Sequence, residues 1–179
     1  QAVDVWHAGL LLGMHGSPGL IDFVAPTWMF NRDPDPSLEA TSWRVSLQAC
    51  LVRGAVIHQL GFLNPAFTSL DAAALEWGRR CIQHGALMKH QPNLLPAGFQ
   101  ALPQLGISFT DQLRFIQLRY GRKWTTWSLL RALLSGYATP QAALSAWNKL
   151  RQESLPPRTR TYQSPTIHPS ANLLADEHK

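Results

Sequence analysis

The chain has 179 residues, of which 45% are hydrophobic and only 15% are charged. Globular domains average about 25% charged residues, and this composition excludes a coiled coil or a highly charged disordered chain. The length corresponds to one domain or slightly more, which can bury a core without a disulfide or metal staple. The formal net charge of +5 suggests an anionic partner such as a phosphate, a nucleotide, nucleic acid or a lipid headgroup.

The N-terminal sequence predicts neither a signal peptide nor a membrane span. The longest uncharged apolar run, 8–14, is far shorter than the ~20 residues that a span requires. Gln1 is not a natural initiator, so we expect the chain to begin within a longer polypeptide. Cys50 and Cys81 lie far apart without a C-x-x-C partner, which predicts two free thiols in a reducing, cytoplasmic compartment.

Hydrophobic patterning and turn residues predict short strands in the first half of the chain. The expected strands are 21–30, 43–53 and 86–90. A turn is expected at Asp33-Pro34-Asp35, because aspartate and proline favour turn geometry. Residues 54–60 predict a short helix that ends at Gly61.

The clearest helix of the middle region is 70–84. Ser69 is its expected N-cap, Asp71 lies in its first turn, where the helix dipole favours an anion, and Gly85 follows its end. Gly78 and the neighbouring alanines give this helix a small apolar face. We therefore expect it to pack closely against a sheet.

Beyond Gly106 the pattern becomes helical. Three helices are expected, one opening at Ser108 or Thr110, one at 124–134, and one after the N-cap Thr139. Each helix has apolar residues at helical spacing that are expected to face the core. They are Leu113, Ile116, Tyr120, Trp127, Leu130, Leu134, Ala143, Trp147 and Leu150. This organisation predicts a first region at 1–105, a helical subdomain at 106–152 and an extended or disordered tail at 153–179.

A cluster of basic residues forms the best candidate for an anion-binding surface. Arg119, Arg122, Lys123 and Arg131 alternate with aromatic residues. Nucleic-acid binding would need exposed aromatic rings, and the tryptophans here are expected in the core, so we expect no nucleic-acid partner. A peripheral contact with a membrane surface and a merely solvated basic face remain the open alternatives.

The segment 46–92 places several short motifs in a distinctive order. A strand runs into a short helix, and a second helix with an acidic residue and an arginine leads to a glycine and a strand ending at proline. The residues that carry this order are Leu51-Val52-Arg53, Leu60-Gly61-Phe62, Asn64-Pro65-Ala66-Phe67, Glu76, Arg80, Gly85 and Pro92. The order resembles the acceptor-side half of family-2 glycosyltransferases of the GT-A fold, over about residues 21–135.

The resemblance implies an α/β fold, in which a partial GT-A-like mixed sheet with flanking helices is followed by a small helical C-terminal subdomain. Residues 1–105 would then be the acceptor-side region, incomplete at its N-terminus. The implied reaction is inverting transfer of a sugar from a nucleotide-sugar donor to a hydroxyl or lipid-linked acceptor, in surface polysaccharide or glycoconjugate synthesis. A divalent metal, Mg²⁺ or Mn²⁺, is implied for the full-length enzyme. Its ligands are not identified in this chain, because Asp33-Pro34-Asp35 is favoured as a turn.

The acidic pair of the family falls on Ala73 and Ala74 in this sequence, and only the later acidic position is kept, as Glu76. The resemblance therefore leaves Glu76, or failing that Asp71, as the general base that takes a proton from the acceptor hydroxyl. Two structural roles remain open as alternatives. Asp71 can serve the helix dipole, and Glu76 can form an exposed ion pair with Arg80 four residues later.

Seven further residues are candidate substrate contacts, namely Trp43, Arg44, Arg53, Asp4, Trp6, His7 and Arg80. A tryptophan face suits the apolar face of a sugar, and an arginine fork suits a phosphate. Core packing of the tryptophans, backbone bonding of His7 and solvated arginines remain open alternatives. The histidines are not expected to form a metal site. The alternative function is a non-catalytic glycosyltransferase-like interaction module, which would bind an anionic partner through its basic helices.

Overall fold

The computed structural model describes residues 3–8, 20, 37–96, 98, 107–153 and 162–164. Within these residues the chain forms a mixed sheet of four strands and five α-helices, which confirms the α/β class. The predicted strand at 21–30, the Asp33-Pro34-Asp35 turn and most of the predicted tail lie outside the described residues.

The four strands are short and come from distant parts of the sequence. They are β1 (Val5–Ala8), β2 (Ala40–Thr41), β3 (Ala49–Val52) and β4 (Met88–His90). Their order in the sheet is β2-β4-β1-β3. The central strand β1 is parallel to β4 and antiparallel to β3, and β2 is antiparallel to β4. The register places His7 beside both His90 and Cys50.

The predicted helices are present with the expected caps. They are α1 (Gly54–Leu60), α2 (Leu70–Gln83), α3 (Phe109–Tyr120), α4 (Arg122–Leu134) and α5 (Pro140–Gln152). The side chains of Ser69, Ser108 and Thr139 each accept a hydrogen bond from the backbone N–H three residues later. Among the described residues, no helix has both the length and the apolar character needed to cross a membrane.

Helix α2 lies between two hydrophobic clusters and is buried on several sides. Toward α3 and α5 it contributes Ala72, Ala73 and Leu75 to a cluster that contains Phe115 and Leu150. Toward the sheet it contributes Ala74, Trp77 and Cys81 to a second cluster, which contains Val5, Val56, Met88 and Tyr162. The helix therefore joins the sheet to the C-terminal helices.

The strand predicted at 43–53 is shorter than expected, since only Ala49–Val52 pairs in the sheet. Trp43 and Val45 are buried outside the strand, directly against α2. Gly78 makes this contact possible, because a Cβ atom at that position would lie 2.1 Å from the carbonyl oxygen of Trp43. The predicted close packing of α2 is thus made against an irregular segment instead of a strand.

Helix α4 presents its largest apolar side chains to solvent, so the expectation that they lie in the core was wrong. The exposed side chains are Trp124, Trp127, Leu130 and Leu134. The buried positions of the helix are the smaller Thr125, Ser128 and Ala132. Small side chains let α4 approach α3 and α5 closely, and the larger residues then face outward.

Replacement of Gly78 by alanine should destabilise the fold, although alanine is the better helix former. We expect a loss of about 1–3 kcal/mol in the free energy of unfolding, because the new methyl group meets rigid backbone. Gly54→Ala is the matched control, since a Cβ there has no atom within 4 Å. Chemical denaturation of both variants checks this, and equal stability of the two would contradict the close contact.

Candidate functional site

Glu76 lies in the interior of the molecule, with 2% of its surface exposed. The Nη2 atom of Arg80 donates to its Oε2 atom at 3.1 Å, which is the pairing expected from the four-residue spacing. The Nη2 atom of Arg119 donates to the other oxygen, Oε1. The ion pair is therefore buried instead of exposed, and guanidinium groups hold both carboxylate oxygens.

The two arginines extend this junction to neighbouring helices. Arg80 also donates to the carbonyl oxygens of Leu60 and Phe62, which lie at and just beyond the end of α1. Arg119 comes from the last turn of α3, and its side chain is only 9% exposed. It was expected in an exposed basic surface, but Glu76 holds it in the interior. The Glu76 junction thus ties α1, α2 and α3 together.

Asp71, the second candidate base, has a different environment. It lies half-buried in the first turn of α2. Among the ion pairs formed within the described part of the chain, none includes Asp71. Of the two candidate carboxylates, Asp71 is therefore the one that a hydroxyl group from solvent can approach.

Asp4 links the first strand to three other segments. Its Oδ1 atom accepts a hydrogen bond from the hydroxyl of Tyr162 at 2.8 Å and forms an ion pair with Nε of Arg53 at 3.1 Å. Its Oδ2 atom accepts one from the backbone N–H of Leu87 at 3.0 Å. Tyr162, from the predicted tail, is itself buried. Asp4 and Arg53 therefore have structural partners near the N-terminal end of strand β1.

Trp43 and Arg44, predicted to contact substrate, are both buried. The indole of Trp43 stacks on Phe115 with 6.3 Å between ring centroids. The guanidinium groups of Arg44 and Arg79 lie 5.4 and 5.7 Å from the indole centroid. This stack joins the segment before β3 to α2 and α3, and its main role in the structure is core packing.

Trp6 and His7 lie on strand β1. Trp6 is half-buried, with the ammonium of Lys89 5.7 Å from its ring centroid. His7 is fully buried, and its Nδ1 atom accepts a hydrogen bond from the backbone N–H of Ser46 at 3.5 Å. Its ring centroid lies 5.8 Å from that of His90. Burial, reinforced by His90, lowers the pKa of His7 from 6.5 to about 4, which keeps the imidazole neutral.

Sequence patterns did not reveal the role of Asp111. This carboxylate is fully buried and accepts hydrogen bonds from the N–H groups of Thr68 and Ser69 and from the Thr68 hydroxyl. Arg114 bridges Asp111 to Glu153 at the end of α5. The three-residue spacing of Asp111 and Arg114 was a visible signal for their pairing. The contact with Thr68 depends on tertiary structure alone.

The described residues do not fit a divalent cation. Among them, no three His, Cys, Asp or Glu side chains are grouped so that they could hold a metal ion. An arginine side chain binds each of the carboxylates of Asp4, Glu76 and Asp111. Backbone N–H groups also donate to Asp4 and Asp111. Burial raises the pKa of Cys50 to about 11 and that of Cys81 to about 12, which keeps both thiols protonated and weakly nucleophilic.

Comparison with known proteins does not assign the chain to a family, since no family model, no curated protein and no solved structure matches it. The structure separates candidate residues that are buried in structural contacts, such as Glu76, Trp43 and His7, from the half-buried Asp71, Trp6 and Arg53.

Glu76→Gln should be strongly destabilising, because it leaves two guanidinium groups without their counter-charge in the interior. We expect a loss of about 3 kcal/mol or more in the free energy of unfolding. The matched control is Glu39→Gln, which removes the exposed 2.6 Å ion pair with Lys89 and should cost less than about 1 kcal/mol. Equal losses in urea denaturation of the two variants would contradict a structural role for Glu76.

Because of His7, the free energy of unfolding should begin to fall at pH values well above those at which carboxylates titrate. The pKa of His7 is about 4 in the folded protein and about 6.5 when unfolded, so its contribution is complete above pH 6.5 and is lost as the pH falls toward 4. Between about pH 7 and pH 5 the free energy of unfolding should fall by about 2 kcal/mol from this group.

His7→Asn tests this expectation, because asparagine keeps an acceptor for Ser46 but does not titrate. Over the same pH range, the free energy of unfolding of the variant should fall by about 2 kcal/mol less than that of the parent. His58→Gln, at an exposed position of α1, should behave like the parent. An unchanged pH dependence in the His7 variant would contradict the assignment.

Proposed function

We propose that the chain forms the acceptor side of a glycosyltransferase of the GT-A type. It would transfer a sugar from a nucleotide-sugar donor to a hydroxyl or lipid-linked acceptor, in surface polysaccharide or glycoconjugate synthesis. The observation that carries the proposal is the order of elements over 46–92. Strand β3, helix α1, a turn at Gly61, helix α2 and strand β4 follow one another, and β4 lies parallel to β1 in a mixed sheet.

Within this proposal Asp71 is the general base, and Glu76 has a structural role. A base must reach the hydroxyl whose proton it takes, and both oxygens of Glu76 already bind arginines in the interior. Asp71 is half-exposed in the first turn of α2, three residues before the buried Ala74. Its carboxylate is therefore the accessible acid nearest to the position of the missing acidic pair.

The proposed reaction balances as a single displacement at the anomeric carbon. Asp71 takes the proton of the acceptor hydroxyl while that oxygen forms a bond to the anomeric carbon. The bond between this carbon and the nucleoside diphosphate breaks, and its electron pair leaves with the phosphate oxygen. A divalent cation, when bound elsewhere in the complete enzyme, would neutralise the leaving diphosphate.

A non-catalytic interaction module is the second candidate, and one observation favours it. Ala73 and Ala74 occupy the positions of the family's acidic pair, and both are buried in the cores beside α2. The acid that remains on this helix face, Glu76, is neutralised by Arg80 and Arg119. A relative that had lost transfer chemistry would have this arrangement.

Release of nucleoside diphosphate from a panel of nucleotide sugars, with Mg²⁺ or Mn²⁺ and mixed hydroxyl acceptors, tests the two candidates. Asp71→Asn in the intact protein should lower turnover by about 10²–10⁴-fold. Its unfolding midpoint should stay close to that of the parent, since a first-turn charge contributes only about 0.3–1 kcal/mol.

Glu39→Gln is the control carboxylate and should keep full turnover. Full turnover in Asp71→Asn would exclude Asp71 as the base. A folded parent protein that releases no nucleoside diphosphate across the panel would exclude transfer with those donors and favour the interaction module.

A further inference from the structure

Helix α4 exposes a continuous stripe of large apolar and basic side chains. We define the α4 stripe as Lys123, Trp124, Trp127, Leu130, Arg131 and Leu134, all of which are exposed. Their spacing of one, three or four residues places them on one side of a helix. The buried residues Thr125, Ser128 and Ala132 occupy the opposite side. The helix therefore turns Trp124, Trp127, Leu130 and Leu134 away from the protein.

The exposure of this stripe is large for apolar residues of a folded domain. Leu130 is 54% and Leu134 80% exposed, and Tyr137 just beyond the helix is 48% exposed. Trp127, Leu130, Arg131 and Leu134 also line an open hollow of about 350 Å³. Contiguous exposed apolar surface of this kind marks an interaction site. The partner must therefore offer apolar contact to leucine side chains.

The sequence of α4 and α5 carries charge of one sign. From Gly121 to Gln152 the sequence contains no aspartate or glutamate. The basic residues of α4 itself, Arg122, Lys123 and Arg131, are all exposed. The guanidinium of Arg131 lies 5.7 Å from the ring centroid of Trp127, so charge and aromatic surface are adjacent within the stripe. An anionic partner would therefore be complementary in charge to this surface.

We propose that the α4 stripe binds the surface of an anionic lipid bilayer. In this arrangement the exposed side chains of Lys123 and Arg131 face lipid phosphates and carboxylates, and Leu130 and Leu134 enter the acyl boundary. Tryptophan rings prefer the interface between the two. Nucleic acid offers phosphates and stacking bases but no apolar surface for the leucines. Because the other side of α4 is packed against the protein, the helix would lie in the plane of the membrane surface.

This inference does not depend on sugar transfer, and its test does not require turnover. The probe is sedimentation of the intact protein with vesicles of phosphatidylcholine, with or without phosphatidylserine. We expect binding to the anionic vesicles at low salt and binding at least about tenfold weaker to phosphatidylcholine alone. Added salt should weaken the binding, since counterions screen exposed charges.

Variants of the stripe separate apolar insertion from simple charge attraction. Leu130→Ser with Leu134→Ser should weaken vesicle binding by at least about tenfold, because two apolar side chains no longer enter the acyl boundary. Lys123→Glu with Arg131→Glu should have an effect of at least similar size. All four positions are exposed, so the unfolding midpoint should change little.

Matched controls lie on α5, off the stripe. Leu144→Ser changes a leucine that is 62% exposed, and Lys149→Glu changes an exposed basic residue, and both should bind vesicles nearly as the parent does. Trp124→Phe with Trp127→Phe should remove the quenching of tryptophan fluorescence by lipids brominated on the acyl chains, while binding persists.

Three results would overturn the proposal. One is a parent protein that does not bind anionic vesicles, whether or not it binds an RNA homopolymer or an acidic polypeptide under the same conditions. Another is full vesicle binding by the double leucine variant, which would indicate charge attraction without insertion. The third is equal weakening by the α5 controls, which would remove the assignment to the α4 stripe.

Discussion

The structure depends on the burial of α2 between two cores. A helix in this position needs small side chains where it packs against its neighbours. Gly78 meets this need at the contact with Trp43, and alanines meet it at the contact with the C-terminal helices. It must also neutralise any charge that it carries inward. Glu76 meets this requirement by pairing with Arg80 from the same helix and with Arg119 from α3. Removal of Glu76 would leave two guanidinium groups without a counter-charge in a region of low dielectric.

Buried carboxylates act as ties between segments that are distant in sequence. Asp4 connects β1 to Arg53, to Leu87 and to Tyr162 near the C-terminus. Asp111 connects α3 to the entry of α2. The strands are only two to four residues long and provide few ladder hydrogen bonds. The polar ties therefore supply directional contacts that a longer sheet would supply by itself.

These ties restrict the chemistry that the described residues can perform. A carboxylate that neutralises an arginine and orders two helices is not free to meet a substrate, and a stacked, buried tryptophan cannot support a sugar ring. Two accessible features among the described residues are Asp71 and the outer side of α4. The proposed catalytic role belongs to Asp71, and the proposed bilayer contact belongs to the outer side of α4. An experiment that contradicts one proposal therefore leaves the other unaffected.

Local sequence determined the helices of this protein. Serine and threonine caps, a proline after Thr139 and glycines at Gly61 and Gly85 act within a few residues, and the helices begin and end near them. The pairing of Glu76 with Arg80 also followed from spacing along one helix. Only the tertiary structure decided that this pair is buried, because Arg119 and the end of α1 come from elsewhere in the chain.

Sequence patterns likewise did not predict which side of α4 faces solvent. Its apolar residues occupy more than one side of the helix, so periodicity alone does not choose which side faces the protein. The side that faces the protein is set by the close packing of α4 against α3 and α5. This contact has room for small residues such as Ser128 and Ala132 but not for tryptophan. Cap chemistry is local and can be read from a few letters. The fit between surfaces depends on all the elements that meet, and only the folded chain brings them together.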